Sequence, residues 1–307
     1  MPDTRGLLLA ANATLADMDA QDVHINALTT ANGTLQAWHD QALLDEAALR
    51  AEIFALKNPP PVALPPVHVS GFEPPATVAG WTEVFFEDFK TPAAEGQFGG
   101  LYPRWGAYAK GWPDTKKNTV QAQYSGFDFC SVADDRLKVR LWTPASGFAR
   151  VTALSPNLGA GILNHRMEFV WRVVSKGGTP VKGYHLIPGM EWPKDELWPA
   201  HGESDFCEND TGNPNDPLQI WYHRADVNGS KEQFLAKAKL GEGVWHRMVM
   251  ERVAGKTMDY WIDGEHFQST TMVPATPQRW VVQLESGVIT PNTEVTVEFD
   301  WVKQWQK

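Results

Sequence analysis

Seven prolines stand between residues 58 and 76: Pro59, Pro60, Pro61, Pro65, Pro66, Pro74 and Pro75. Proline has no N–H to donate and its ring clashes with the preceding helical turn, so no helix runs through such a stretch. The stretch reads as an extended, stiff spacer that divides the chain. Residues 1–57 hold only Pro2, Gly6 and Gly33 as breakers and are rich in Ala, Leu, Asp and Gln. Residues 77–307 carry 13 of the 14 Trp and alternate short apolar runs with turn residues.

The first part reads as helix. A ladder of alternating three- and four-residue steps runs through Ile25, Leu28, Asn32, Leu35, His39, Ala42, Glu46, Leu49, Ile53 and Leu56. That spacing is the seam of a coiled coil, and polar groups at Asn32, His39 and Glu46 would fix register and oligomer state. A rod of ~50 helical residues is roughly 75 Å long and has no core of its own, so it needs partner helices. Residues 1–57 are therefore expected to form an oligomerisation stalk, a homotrimer being favoured over a dimer. The competing reading is one amphipathic helix folded back on the next domain.

The third part reads as strands over Trp81–Phe89, Leu137–Trp142, Met167–Val174, Trp245–Val253, Met258–Ile262, Trp280–Leu284 and Val295–Trp301. Asp263-Gly264 after an apolar run signals a hairpin, and Ser230–Leu240 has room for a helical turn or two. The expected fold of 77–307 is all-β, a two-sheet jelly-roll sandwich. Strand alternation assigns Trp142, Trp171, Trp261 and Trp301 to its core.

Composition excludes several function classes. A formal charge of −10 argues against a nucleic-acid binder and a polybasic membrane anchor. No apolar run approaches the ~18–20 residues of a membrane span. Leu7-Leu8-Leu9-Ala10-Ala11 is too short and lacks a basic flank for a signal peptide. Cys130 and Cys207 are too few for a disulfide framework or a Cys-rich zinc site.

The chemistry concentrates in Trp198-Pro199-Ala200-His201-Gly202-Glu203-Ser204-Asp205-Phe206-Cys207-Glu208. In a strand, Glu203 and Asp205 share a face and Phe206 takes the other. Glu208 is an odd number of residues from Glu203 and would face away. One β-bulge between Asp205 and Glu208 restores parity and gathers all three carboxylates. The layout suits retaining glycoside hydrolysis, which needs a carboxyl pair ~5–5.5 Å apart acting as nucleophile and general acid/base. A third carboxylate between them would keep their pKa values apart. Two other readings stay open on the spacing alone: a solvated acidic face, or a calcium or zinc site completed by His201, with His185 or His223 folding near. Sugars stack on indole faces, which makes Trp105, Trp192 and Trp198, in turn-like stretches, candidate substrate platforms, with His201 and His223 beside them.

At these residues the sequence resembles glycoside hydrolase family 16, the laminarinase, lichenase and agarase group. Phe85-Phe86-Glu87-Asp88-Phe89 is similar to the family's opening strand, and Asp135-Arg136-Leu137-Lys138-Val139 to its "D-G-x-L-x-I" strand, with Arg136 where Gly is usual. The Trp198–Glu208 run is similar to "W-P-x-x-G-E-I-D-I-x-E" in its bulged form. Trp245–Glu251, Tyr260–Gly264 and Phe299–Val302 follow in the family's order. The resemblance implies a β-jelly roll and a retaining endo-hydrolase of β-linked glucans or galactans. It implies Glu203 as nucleophile, Asp205 as its helper and Glu208 as acid/base. It further implies no required cofactor, and a structural calcium on a carboxylate matching Asp300.

Stalk plus spacer resembles the layout of phage tail and other virion attachment proteins, so a virion or extracellular setting, with other tail proteins as partners, is expected. The alternative function is a non-catalytic carbohydrate-binding head that gains avidity from the stalk.

Overall fold

The computed structural model describes residues 68–116, 121–224 and 230–307, with Gly33, Gln36, Trp38 and Gln41 as isolated helical positions before them. The chain divides into two compact units, Met1–Pro65 and Pro66–Lys307. The heptad ladder lies wholly outside the described residues, since none of those four positions is on it. No helix among the described residues is long and apolar enough to cross a membrane.

The second unit is a sandwich of two sheets, antiparallel except where Ala122–Tyr124 runs parallel to Ala149–Ser155. One sheet runs in the order Glu265–Thr270, Thr257–Ile262, His246–Val253, His165–Ser175 and Thr293–Gln306. Its last strand carries Leu137–Thr143 along its first half and Thr82–Glu87 along its second. The other sheet runs Ser230–Lys239, Pro217–Arg224, Glu203–Phe206, Tyr184–Pro193, Gln278–Ser286, Ala149–Ser155 and Gly106–Ala107. Strand Ala149–Ser155 pairs into both sheets and joins them.

Alternation fixes which side chains fill the space between. In Leu137–Thr143 the residues Leu137, Val139 and Leu141 are fully buried while Lys138, Arg140 and Trp142 are not. Trp142 was expected in the core but has the outward parity, and the Arg140 guanidinium lies over its ring. Trp261 likewise faces out, edge-on to His266, whereas Trp171 is a core residue as expected. Asp263-Gly264 forms the two-residue hairpin turn, both residues having positive φ (53° and 87°), the twist that joins antiparallel strands tightly. Ser230–Lys239, read as possible helix, is a strand paired to Pro217–Arg224. Its alternating exposure shows one face turned to water.

The last strand contains a correction of a different kind. Alternation places Trp301 beside Val295, Val297 and Phe299, but a register shift between Phe299 and Trp301 reverses the parity. Trp301 is still fully buried, because residues 68–76 cross it. The Trp301 indole donates to the Phe72 carbonyl at 2.6 Å, and Lys303 Nζ to the Pro75 carbonyl at 2.8 Å. These nine residues were assigned to the spacer; they belong to the sheet unit and cap its outer face.

Asp300, the expected calcium ligand, is fully buried beneath the same segment. Its Oδ2 accepts the Ser70 N–H at 2.9 Å and the Ser70 hydroxyl, and its Oδ1 lies 3.6 Å from His68 Nδ1. Calcium takes six to eight oxygen ligands; hydrogen-bond donors and a nitrogen face this carboxylate, and the set does not fit that ion. Chelation with EDTA should therefore leave the melting temperature unchanged. Asp300→Ala, which strands the Ser70 donors, should cost about 2–3 kcal/mol by thermal denaturation. A drop in melting temperature on chelation alone would show that a metal is held here after all.

Candidate active site

Strand Glu203–Phe206 lies between Pro217–Arg224 and Tyr184–Pro193 in the middle of its sheet. Phe206 and Ser204 point into the sandwich, where the Ser204 hydroxyl meets the Tyr260 hydroxyl at 2.6 Å. Glu203 and Asp205 point the other way. Beyond Phe206 the backbone N–H groups of Cys207 and Glu208 both donate to one carbonyl, that of Gln219, at 2.8 and 3.1 Å. Two residues opposite one is a β-bulge, and Cys207 holds the left-handed conformation it needs (φ 68°). Cys207 stays fully buried. The expected bulge is present at the expected place, and Glu208 and Asp210 follow Glu203 and Asp205 onto the outer face.

The neighbouring strand carries a matching irregularity. Val281 pairs with Met190 but Gln283 with Ile187, so one extra residue is taken up around Pro188-Gly189. Gly189 has no room for a side chain: a Cβ there would sit 3.0 Å from Phe169 and from Phe206. This second bulge lets His185 and Trp192 share the site's face despite their odd separation.

Burial and charge set the protonation of the three carboxyls. Glu203 is 8 % and Asp205 2 % exposed. Burial, then the charge of Asp205, holds the Glu203 carboxyl well above the usual range. Burial, then the charge of Glu208, does the same to Asp205. Each carboxyl's charge thus disfavours ionisation of its neighbour, and Trp198 works the other way on Glu203 by favouring its charged form. His223 Nε2 lies 3.3 Å from Asp205 and 3.9 Å from Glu203, and burial holds its ring below the ordinary imidazole value.

Glu208 has the opposite environment. Burial opposes its charge, but the hydrogen bond and charge of His185, joined by Lys116 and Lys231, outweigh it and keep the carboxyl below the usual range. His185 Nε2 is 3.0 Å from Glu208 Oε1, and His185 Nδ1 is 2.7 Å from Asp210 Oδ1. The resting site thus sets an ionised Glu208 and a protonated His185 beside a Glu203–Asp205 pair whose carboxyls are pushed toward their protonated forms.

Of the expected platforms, Trp192 and Trp198 stand together, their rings parallel within 7° at 6.3 Å, with Trp198 edge-on to His223 at 5.8 Å. Trp198 is 44 % exposed. Trp105 is not a platform: it is 3 % exposed and packed against Phe85, Phe89 and Phe98 in the core. His201 is also apart from the carboxyls, ion-paired with Asp195 at 2.8 Å in the preceding loop. His185, expected only as a histidine that could fold near the carboxylates, does lie beside them; Asp210, Lys116 and Lys231 were not anticipated as site residues. Asp210 was findable, since it is two residues from Glu208 and must share its face. Lys116, in the loop before Ala122–Tyr124, and Lys231, on the strand Ser230–Lys239, come from distant parts of the chain and left no local signal.

Glu203, Asp205 and His223 are the one set among the described residues whose ligand atoms, all within 4.8 Å of one another, could clasp a cation. Protonation of Glu203 and Asp205, which burial favours, competes with a cation for that position.

No family model and no curated protein matches this sequence. Solved structures do match the fold. SCLam, a non-specific endo-β-1,3(4)-glucanase from family GH16, superposes with a TM-score of 0.58 at 16 % identity, covering 76 % of this chain and 94 % of its own. The endo-1,3-β-glucanase from Streptomyces sioyaensis gives 0.54 at 16 % identity, covering 76 % and 99 %. The laminarinase from Rhodothermus marinus gives 0.57 at 13 % identity, covering 74 % and 97 %. The sheet unit therefore has the jelly-roll architecture of these glucanases.

Proposed function

We propose that the sheet unit is a retaining endo-hydrolase of β-linked glucan, with Glu203 as nucleophile, Asp205 as its proton partner and Glu208 as acid/base. The observation that carries this reading is the bulge at Cys207, which gathers three carboxyls of unlike protonation on one face of a glucanase-like sandwich. In the first step Glu203, its proton left on Asp205, attacks the anomeric carbon while Glu208 protonates the departing oxygen. In the second, ionised Glu208 takes a proton from water, which releases the sugar from Glu203 with retained configuration.

The test is reducing-end release from laminarin and lichenan, with the product anomer followed by NMR. Release of the β-anomer first supports the reading. Saturable glycan binding with no product over long incubation would leave a carbohydrate-recognising head instead. Activity abolished by a chelator would favour the cation site at Glu203, Asp205 and His223. Trp192, whose indole donates to Glu196 at 2.7 Å, serves as a platform in this reading. Trp192→Ala should raise KM on laminarin about tenfold, the loss of ~1.4 kcal/mol of stacking, with kcat little changed.

The homotrimeric stalk and the virion setting rest on residues 1–57 and enter this proposal from the sequence pattern. Light scattering on the full chain should give three times the 34.2 kDa monomer mass; a monomer would remove the stalk.

A further inference from the structure

The resting site lacks what the first step of the proposed reaction needs, a proton on Glu208. The groups around His185 supply one. Its ring is 5 % exposed and anchored through Nδ1 to Asp210 at 2.7 Å. Its Nε2 has two neighbours at 3.0 Å that ask for opposite states, the Glu208 carboxylate and the Lys116 ammonium. A carboxylate requires an N–H there; an ammonium requires the lone pair. Lys116 Nζ also lies 4.0 Å from Glu208.

We propose that His185 is a positioning residue that stores the proton Glu208 delivers to the leaving group, with Lys116 holding the ring once that proton has left. This rests on the hydrolase reading above. The exchange balances: the His185 Nε2–H bond breaks, an O–H bond forms on Glu208, and a Lys116 N–H then donates to the vacated Nε2 lone pair. Glu208 passes the proton to the leaving oxygen. In the second step Glu208 takes a proton from water and returns it to His185. No oxidant or further reactant is involved.

Other charged groups face this ring. Glu285, paired with His185 across the sheet, and Asp205 both sense its charge. Burial pulls the imidazole down, but the hydrogen bonds to Asp210 and Glu208 outweigh that and carry it to about 9, with Lys116 opposing. The store is thus full at neutral pH and empties only in mild alkali.

His185→Gln keeps a donor for Glu208 but cannot release a proton. It should slow laminarin hydrolysis about 100-fold, yet leave hydrolysis of a dinitrophenyl glycoside, whose leaving group needs no proton, within about threefold of wild type. Equal losses on both substrates, or none on either, would overturn the proposal. Asp210→Asn, whose side chain is 70 % exposed and so tolerant of change, is the second variant; it should move the alkaline limb of kcat/KM to lower pH. An unmoved limb counts against the store. An NMR titration of His185 in Glu208→Gln separates the two readings: sharing predicts that the ring titrates lower than in wild type, whatever the activity. An unchanged ring pKa there overturns the shared proton, whereas a wild-type protein inactive on every glycan with a coupled ring overturns the hydrolase.

Discussion

Glu203→Gln should abolish glucan hydrolysis and make the protein more stable at neutral pH. Losing the nucleophile of a covalent mechanism costs on the order of 10⁴-fold or more in kcat. The gain in stability follows from the carboxyl's environment. Its folded-state pKa lies above the unfolded value, so the stability it contributes is whole in acid and is lost as the pH rises through the folded value. At pH 7 the buried site bears that cost, and the neutral amide relieves it. Thermal melts at pH 4 and pH 7 check the sign: the variant's advantage should be small at the lower pH and larger at the higher. Unchanged hydrolysis would remove Glu203 as nucleophile; a variant less stable than wild type at pH 7 would mean the buried charge is better compensated than its contacts indicate.

The largest stability effect should come from the inner face of the neighbouring strand, Tyr184–Pro193. Glu191 and Arg252 are fully buried and paired at 2.7 Å, and the other Glu191 oxygen meets His165 at 2.8 Å. Arg252 also donates to the carbonyls of Ile162 and Leu163 at 2.8 and 2.7 Å. Burial opposes the Glu191 charge, but Arg252 and His165 outweigh it and hold the carboxyl below the usual range. Glu191→Ala leaves an uncompensated guanidinium inside the sandwich and should cost about 3–5 kcal/mol, lowering the melting temperature by roughly 10 °C for a unit this size. The paired replacement Glu191→Leu with Arg252→Met should recover most of that loss, because it removes both charges together. A double variant as unstable as the single one would show that the hydrogen bonds to Ile162 and Leu163, rather than the charge pair, hold the sheets in register.

These sites mark what a sequence can disclose. The Glu203–Glu208 spacing disclosed its own bulge, since only an extra residue reconciles three same-face carboxyls with a two-residue period. Leu137–Thr143 disclosed its core face by alternation, and the same alternation read carefully would have put Trp142 outside. Trp301 could not be placed this way, because the irregularity at Asp300 leaves no mark in the surrounding pattern. Trp105 looked like a loop aromatic because Pro103 and Gly106 flank it, yet Phe85, Phe89 and Phe98 converge on it from elsewhere in the chain. His185 and Lys116 belong to the same class: their meaning lies in contacts across 23 and 92 residues, and local spacing is blind to such distances.

The inserted residue at Cys207 also governs how this chain tolerates change. Most loops on a sandwich can gain or lose an amino acid and merely shift a surface. Between Asp205 and Glu208 the count acts as a binary digit. Deleting Cys207 would dissolve the bulge into a regular strand, with Glu208 an even four residues from Glu203 and still on the outer face, whereas deleting both Phe206 and Cys207 would leave an odd count and turn Glu208 toward the interior. Length variants here should accordingly be functional or dead according to whether the residue count and the bulge together leave Glu208 outward, with no graded series between them.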